Sequence, residues 1–274
     1  RGHARVLAEA AARAGRPVRI FAAGGDGTFR EALEGAQGCP EAAVGCIPAG
    51  SGNDFLRTFG SREDFLDFDA QLAGQTVSID LLETSLGLSA SVCAAGLDAQ
   101  VAAGAAAFRH HPFFHGEAAY LLSALRQVCG PLGRQARLTV DGEVLEEKIL
   151  MCAACNTRDY GGGFRAAPLA EPGDGLLDLV VVRRMSRLTL LRLLNLYKQG
   201  RHFAGGQVAP EVARYILYRR ARQVTVELTD GRGPITATAD GECAAVDRLA
   251  VRVLPGAGRV VLPAGVRAAA PAQT

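Results

Sequence analysis

The segment from Phe21 to Thr28 has the clearest potential for chemistry. It reads FAAGGDGT, in which an apolar stretch ends in two glycines and Asp26 leads into a helix-forming sequence. Glycine lets the backbone approach an anion closely, and N–H groups at a helix N-terminus point towards it. A carboxylate beside phosphates is repulsive unless a divalent cation lies between them, as Mg²⁺ does with ATP. The segment therefore predicts a nucleotide site for phosphoryl transfer, with Asp26 acting on the metal directly or through water. The alternative is a tight turn in which Asp26 only caps a helix.

A second glycine-rich turn favours the nucleotide site. Residues 44–55 read VGCIPAGSGNDF, so another short apolar strand runs into a turn that exposes Ser51, Asn53 and Asp54. Two such turns, each following a short strand, are expected side by side at the carboxyl edge of a parallel sheet. Open α/β sheets bind their ligands at this edge.

Composition excludes several classes of protein. The 274 residues are 49% hydrophobic, yet no apolar run is long enough to cross a bilayer. The net charge of +2 gives no global signature of nucleic-acid binding. The two lysines, Lys148 and Lys198, both lie outside the glycine turns, so a Walker-type P-loop is absent. Phosphates must then be held by backbone amides, arginine and metal.

Cysteine and histidine give weaker signals. Seven scattered cysteines are typical of a chain in a reducing cytosol. Cys152 and Cys155 form a single CxxC inside an apolar run, which favours buried packing over redox or metal chemistry. Three histidines follow one another closely beside Pro112, and we interpret them as part of a loop near the active cleft: His110, His111 and His115.

The pattern of the chain changes near residue 78. Residues 1–78 alternate helix and strand, with helix over 3–14, strand over 17–23, helix over 28–36, strand over 43–48 and mostly helix over 52–73. This alternation predicts a doubly wound parallel sheet. Residues 79–274 read mainly as strands, interrupted by helical insertions near 99–107, 116–129 and 186–199, which predicts a mainly antiparallel β-sandwich-like domain. The C-terminal tail is expected to fray or to pack back on the first domain, and the cleft between the domains is the expected site.

With GGDGT at 24–28 and PAGSGNDF at 48–55, the chain resembles the diacylglycerol kinase catalytic-domain family, which includes soluble bacterial lipid kinases and sphingosine and ceramide kinases. Further landmarks follow in order. They are Ile79-Asp80, the GLDA segment 96–99, the block NTRDYGGGFRAAPLAEPGDGLLDLVVV at 156–182, and the DGE segment 240–242. The resemblance covers nearly the whole chain.

The resemblance implies a role for each matching residue. The ATP site would be lined by Gly24, Gly25, Asp26, Gly27, Thr28 and Ser51. Asp26 would join a water and Mg²⁺ network at the phosphates, with Asp54 nearby. Asp240 would be the general base for the lipid hydroxyl and Glu242 would orient it, although a plain β-turn aspartate is the alternative for Asp240. A second, structural magnesium site would use Asp174 with backbone carbonyls near Glu171 and Leu176, although Asp174 could also be a turn residue.

Three features depart from the family pattern. Ser51 stands where threonine is usual, and Arg30 stands where asparagine is common. The first strand of a doubly wound domain, with its N-P-x-S-G turn, is missing before residue 17. The chain is therefore expected to lack its natural N-terminus, and restoring that segment is expected to raise ATP affinity.

The resemblance implies an ATP-dependent lipid kinase of phospholipid metabolism, with diacylglycerol or a related lipid as acceptor, that is cytoplasmic and docks peripherally on the inner face of the membrane. Two arginine clusters offer contacts with anionic headgroups, although each could also be a solvated face. One comprises Arg183, Arg184, Arg187 and Arg192, and the other Arg214, Arg219, Arg220 and Arg222. A non-catalytic lipid- or nucleotide-binding protein of the same fold and a nicotinamide-nucleotide kinase are the alternatives. The oligomeric state stays open, with a homodimer as one option.

Overall fold

The computed structural model describes residues 2–50, 52–107 and 117–267. Ser51 and the three histidines of the 110–115 segment lie outside the described residues. The N-terminal part alternates helix and strand as the sequence predicts. Its first elements are α1 (His3–Ala12), β1 (Val18–Gly24), α2 (Asp26–Ala36) and β2 (Ala42–Pro48). β1 and β2 are parallel, with Val18 beside Ala42 and Gly24 beside Pro48, so both glycine turns leave the same edge of the sheet.

The prediction of mostly helix over 52–73 was wrong for the middle of that range. Two short helices form, α3 (Asp54–Arg57) and α4 (Phe68–Leu72), and turns separate them. In these turns the backbone N–H and the hydroxyl of Ser61 both donate to the Asp64 carboxylate, each at 2.8 Å. Local side-chain hydrogen bonds of this kind compete with helical ones and end the helix.

The remaining strands form the second part of the molecule. They are β3 (Gln75–Thr84), β4 (Gly87–Ser89), β5 (Val92–Gly96), β6 (Arg134–Val140), β7 (Glu143–Cys155), β8 (Leu177–Arg183), β9 (Phe203–Ala204), β10 (Gln207–Val208), β11 (Ile216–Ala221), β12 (Gln223–Leu228), β13 (Ile235–Ala239), β14 (Glu242–Val246) and β15 (Arg248–Leu262). The helices of this part are α5 (Leu97–Ala107), α6 (Glu117–Cys129) and α7 (Arg187–Lys198).

One curled sheet of 13 strands joins the two parts within the described ranges. Its main path runs β1-β2-β15-β12-β6-β7-β5-β13-β14, while β3 with β4 and β8 with β11 branch from it. The β1–β2 and β2–β15 pairs are parallel, whereas the pairs of the second part are antiparallel. The predicted fold class, an α/β N-terminal part followed by a mainly antiparallel sandwich-like part, is confirmed.

Strand β15 belongs to both parts. Its first half pairs with β12, and its end lies parallel to β2, with Val260 beside Val44. β3 follows it on the other side along most of its length, and the register shifts between Leu254 and Gly258. The shift bends the strand where it passes from one part to the other.

The sandwich core is formed by inward-facing aliphatic side chains, among which Leu138, Leu177 and Leu249 are at most 2% exposed. Cys152 and Cys155 lie on β7 and are buried as free thiols. Burial raises the pKa of both thiols well above the ordinary value. The prediction that this CxxC packs as small hydrophobic side chains is confirmed.

Candidate active site

The two glycine turns contact each other through their backbones. The Gly24 carbonyl accepts hydrogen bonds from the N–H groups of Ala49 (3.1 Å) and Gly50 (3.0 Å). A Cβ placed on Gly50 would lie 2.5 Å from the Gly25 Cα, and one on Gly25 would lie 2.8 Å from the Gly52 carbonyl oxygen. Side chains at these positions would force the turns apart, so glycine is needed here for contact between the turns.

Asp26 joins the two turns with its carboxylate. Its Oδ2 accepts from the Asp54 N–H at 3.1 Å and its Oδ1 from the Phe55 N–H at 3.2 Å, both at the start of α3. Helix α2 itself begins after Gly25 with no side-chain cap, so the alternative that Asp26 merely caps its own helix is wrong. Burial, together with the negative charges of Asp54 and Asp240, raises the pKa of Asp26 to about 6, although the hydrogen bonds from the Asp54 and Phe55 N–H groups lower it.

This pKa predicts how stability depends on pH. Because the folded pKa is above the ordinary 3.8, the folded chain keeps a proton that the unfolded chain releases, and the free energy of unfolding falls as pH rises between the two values. The side chain of the Asp26→Asn variant cannot ionise, so its free energy of unfolding should not show this fall. Relative to the wild type, its free energy of unfolding should rise by about 1–3 kcal/mol between about pH 4 and pH 7, as measured by urea unfolding without metal or nucleotide. Asp64→Asn is the control with the opposite sign, because hydrogen bonds from Ser61 lower the pKa of Asp64. A difference for Asp26→Asn that does not vary with pH would contradict the assignment.

Asp54 is buried between the two parts of the molecule. It is 8% exposed, and its Oδ2 accepts from the Gly162 N–H at 2.8 Å, in the triple-glycine loop of the second part. Its Oδ1 accepts no hydrogen bond from the described residues and faces Arg57 Nε at 3.3 Å. An oxygen of this kind, buried and short of donors, suits a cation or a ligand hydroxyl.

Asp240 lies in a two-residue hairpin turn between β13 and β14. Asp240 and Gly241 have φ values of 46° and 84°, the backbone of a type I′ turn, for which Asp-Gly is a preferred sequence. The N–H of Asp240 donates to the Val92 carbonyl at 3.1 Å, which ties the turn to β5. The turn therefore holds the Asp240 side chain against the β4–β5 connection.

Four donors orient the Asp240 carboxylate. Oδ1 accepts from Ser89 Oγ (2.9 Å), Ser91 N (3.1 Å) and Val92 N (3.0 Å), while Oδ2 accepts from Ala90 N at 2.7 Å. Burial raises the pKa of Asp240, against the lowering effect of these hydrogen bonds. Oδ2 has a single donor among the described residues, so it can accept a further hydrogen bond from a ligand hydroxyl.

Glu242 is held by an arginine from the other part of the molecule. Its Oε2 lies 2.9 Å from a guanidinium nitrogen of Arg30, whose side chain is only 7% exposed. The same guanidinium donates to the Leu88 carbonyl at 3.2 Å. The sequence identified Arg30 only as a departure from the family pattern. Its contact with Glu242 could not be predicted, because the two residues are far apart in the sequence and meet only in the folded chain.

Asp174 has two partners in the structure. Its Oδ1 accepts from the Leu176 N–H at 2.9 Å, and its Oδ2 pairs with Arg220. The carbonyl of Glu171 accepts from the Gly173 N–H at 2.7 Å. Arg220 already supplies a positive charge at Asp174. The expected ligands therefore do not fit a bound cation unless the arginine side chain moves away. The metal role of Asp174, Glu171 and Leu176 stays a prediction.

Asp98, in the GLDA segment, lies deeper in the second part. Its Oδ2 accepts from the Tyr160 hydroxyl at 2.8 Å and its Oδ1 from the Ala99 N–H at 2.8 Å. Burial raises its pKa to about 6. Tyr160 directly precedes the triple-glycine loop that contacts Asp54, so the hydrogen bond between Tyr160 and Asp98 helps to fix the start of this loop.

Two family models match the chain. Residues 1–84 match the diacylglycerol kinase catalytic domain, and residues 91–262 match the YegS C-terminal NAD kinase beta sandwich-like domain. The second match alone covers more than half of the chain. The chain belongs to the diacylglycerol kinase family of lipid kinases. The first match of this lipid kinase includes both glycine turns, and the second includes the Asp240 turn and the triple-glycine loop.

Individual relatives agree with this assignment. The lipid kinase is 31% identical to a diacylglycerol kinase of Mycobacterium tuberculosis over 252 residues, which cover 89% of this chain and 76% of the relative. It is 33% identical over 267 residues to a probable YegS-like lipid kinase of Pseudomonas aeruginosa, with coverages of 96% and 82%. A putative diacylglycerol kinase from Bacillus anthracis superposes with a TM-score of 0.73 over 97% of this chain and 84% of that one, at 19% identity, which shows a shared fold.

Proposed function

We propose that this lipid kinase transfers the γ-phosphoryl group of ATP to the free hydroxyl of a diacylglycerol or a closely related lipid. The observation that carries the proposal is the position of Asp240. Its carboxylate is oriented by four donors, and its turn is tied to helix α2, which begins at Asp26, by the 2.9 Å ion pair between Glu242 and Arg30. An acceptor hydroxyl bound at Asp240 would thus lie beside the phosphates of a nucleotide bound at the turns. Lipid kinases among the relatives support the acceptor class.

The nucleotide phosphates would be held mainly by backbone. Gly24, Gly25 and Gly27 would allow the phosphates close to the start of α2, where N–H groups and the helix dipole favour negative charge. Thr28, in the first turn of α2, would add a hydroxyl donor, and Ser51 would contribute from the second turn. Thr28 is already packed against Gly24, since a Cβ there would lie 2.5 Å from Thr28 Oγ1.

Asp26 and Asp54 fit a role as magnesium ligands that act with the phosphates. The described residues contain no group of three or more His, Cys, Asp or Glu side chains that could hold a metal ion. Mg²⁺ commonly uses one or two carboxylates together with substrate phosphates. The buried Asp54 Oδ1, which accepts no hydrogen bond from the described residues and faces Arg57 Nε, and the crowded negative charge at Asp26 suit that arrangement. When bound, the ion would neutralise phosphate charge during transfer.

Asp240 would act as the general base. The acceptor hydroxyl would donate to Oδ2, and this oxygen would take the proton as the new O–P bond forms and the bond from the γ-phosphorus to the β,γ-bridging oxygen of ATP breaks, which releases ADP. Phosphoryl transfer depends mostly on positioning and charge stabilisation, so the rigid hydrogen bonding of Oδ1 would matter as much as basicity. Glu242 would support the turn through its ion pair with Arg30.

The enzyme would act as a peripheral protein on the cytoplasmic face of the membrane, because its acceptor would be dissolved in the bilayer and its donor would be ATP. No helix in the described part of the chain is both long enough and apolar enough to span a bilayer. We propose that surface side chains contact the membrane and that the lipid phosphate produced enters phospholipid metabolism.

A substrate panel tests the proposed function. The purified chain is incubated with radiolabelled ATP, Mg²⁺ and, separately, diacylglycerol, sphingosine and NAD, and the labelled products are separated by chromatography. We expect label in a lipid phosphate, with diacylglycerol as the preferred acceptor. Labelled NADP would favour the nicotinamide-nucleotide kinase, and binding of ATP and lipid with no transfer would favour the non-catalytic alternative.

The Arg30–Glu242 pair predicts coupling between the two parts of the molecule. Arg30→Met should lower kcat by about 10-fold, equivalent to ~1.4 kcal/mol of transition-state stabilisation, with little effect on the KM for ATP. The reason is that Glu242 loses its partner and the Asp240 turn loses a contact with α2. The double variant Arg30→Met/Glu242→Gln should be no worse than the poorer single variant.

Arg5 provides the control for this pair. It forms a comparable ion pair with Glu34, at 3.5 Å, but its side chain is 52% exposed and far from the site. Arg5→Met should leave kcat unchanged, because exposed pairs contribute little. Strictly additive effects of Arg30→Met and Glu242→Gln on kcat would show that the ion pair does not position the turn.

A further inference from the structure

Helix α7 carries an unpartnered leucine face. Leu188, Leu191 and Leu194 are 69%, 59% and 44% exposed, and their spacing of three residues places them along one side of the helix. The other side packs through Leu190, Leu193 and Tyr197 against the core of the second part. The helix is therefore anchored by one face while it presents apolar side chains on another.

A basic cavity adjoins this face. A cavity of about 660 Å³ lies at the start of α7, and Leu188 belongs to its wall. Four cationic side chains and one carboxylate line it, namely Lys148, Arg184, Arg187, Arg232 and Asp230. Asp230 already pairs with Arg232 and Arg134, which leaves an excess of positive charge.

Two cations of this cavity, Arg187 and Lys148, differ in whether other residues hold them. Arg187 donates to the Val128, Cys129 and Gly130 carbonyls at the end of α6, at 2.8, 3.2 and 2.7 Å. Lys148 is exposed, and the described residues offer its ammonium no hydrogen bond or ion pair. One cation is thus fixed at the helix junction and another is available to a ligand.

We propose that this surface, defined by Leu188, Leu191 and Leu194 with the cavity around Lys148 and Arg184, docks the enzyme on an anionic phospholipid bilayer. The inference rests on the proposed function, since it names the surface through which the kinase reaches its lipid. Leucines next to cations match an interface in which acyl chains lie beneath anionic headgroups. A second copy of the chain is a poorer occupant, because two such basic cavities would repel each other across a two-fold axis.

Vesicle flotation tests the surface. The whole chain is mixed with vesicles of phosphatidylcholine alone or with added phosphatidylglycerol, and the floated fraction is measured at low and high salt. We expect binding to the anionic vesicles that weakens with salt. Leu188→Ser/Leu191→Ser should lower partitioning by at least ~10-fold, and Lys148→Gln/Arg184→Gln by more than ~10-fold, at about fivefold for each cation.

The matched control replaces exposed leucines elsewhere. Leu66 and Leu72 are 52% and 53% exposed, next to and on α4, and Leu66→Ser/Leu72→Ser should float like the wild type. Equal flotation of the α7 double variant and the wild type would overturn the inference. So would a wild-type dimer in lipid-free solution that the α7 substitutions dissociate, since the surface would then bind a second copy.

A monomeric substrate separates the two proposals. With a short-chain diacylglycerol dissolved below its critical micelle concentration, the α7 variants should turn over as the wild type does, because no surface is involved. Loss of activity on vesicles but not on this substrate supports docking through α7. Absence of phosphorylation on either substrate by the wild type would instead contradict the proposed function, whatever the flotation result.

Discussion

Asp240→Asn is expected to lower lipid phosphorylation by about 10²–10⁴-fold, the range that a general base contributes. Asparagine tolerates the left-handed backbone at φ 46° and keeps an oxygen for the N–H groups of Ser91 and Val92. What it loses is the negative charge, the ability to take a proton and the hydrogen bond from the Ala90 N–H, because an NH2 group replaces Oδ2. ATP affinity should be roughly unchanged, because the carboxylate acts on the acceptor. Steady-state kinetics with the lipid and ATP varied in turn would measure both quantities.

The second hairpin of the same type supplies the control. Asp141 and Gly142 turn β6 into β7 with φ values of 47° and 93°, and the Asp141 carboxylate accepts from the N–H groups of Arg222 and Gln223. Asp141→Asn makes the same chemical change in a turn of the same type that lies away from the cleft, so this variant should keep the turnover of the wild type. A collapse of ATP affinity in Asp240→Asn with intact turnover at saturation would assign Asp240 to the nucleotide site instead, and the base would have to be another residue.

Asp26→Ala should lower turnover by at least ~10²-fold, the scale on which one preorganised electrostatic group acts. The substitution removes a proposed metal ligand and also frees the N–H groups of Asp54 and Phe55, which fix the second glycine turn against the first. Both losses affect the phosphates. The dependence of turnover on Mg²⁺ concentration should shift to higher values, and circular dichroism should show a folded protein.

Asp64→Ala is the comparison for this variant. Asp64 also accepts from a backbone N–H, that of Ser61 at 2.8 Å, but it lies on an exposed turn. Its loss should affect turnover little. If Asp26→Ala, folded and at saturating Mg²⁺, turned over like the wild type, the metal role of Asp26 would be excluded.

Local features of the site could be predicted from sequence. The strand, glycine and helix order around Asp26 and the Asp-Gly turn at Asp240 depend on neighbouring residues, and both appear in the structure. The contact of Arg30 with Glu242 and that of Gly162 with Asp54 join residues from different parts of the chain. Spacing cannot report such contacts, because they depend on how the whole sheet curls.

The fold shows the same division. Alternation of helix and strand predicted α1, β1, α2 and β2, whereas the helix prediction over 52–73 did not foresee the turn that Ser61 and Asp64 build. The sequence of β11, ILYRRA, includes two exposed arginines and lacks the strict alternation of apolar and polar residues that predicts a strand. Its place beside β8 is determined by pairing with Leu179 and Val181, and so by tertiary structure.

The position of β15 has a consequence for how the chain acquires its fold. This strand completes the parallel layer of the N-terminal part, with Val260 beside Val44, although the two residues are far apart in the sequence. During synthesis, β2 can pair with β15 only after the residues up to the end of β15 have been made. Closing so large a loop costs conformational entropy before strand pairing contributes any stability. Folding should therefore be slow, and the two parts should fold cooperatively. The glycine turns would then become ordered only when the sandwich has formed, so the proposed nucleotide site and the proposed acceptor site would be assembled together.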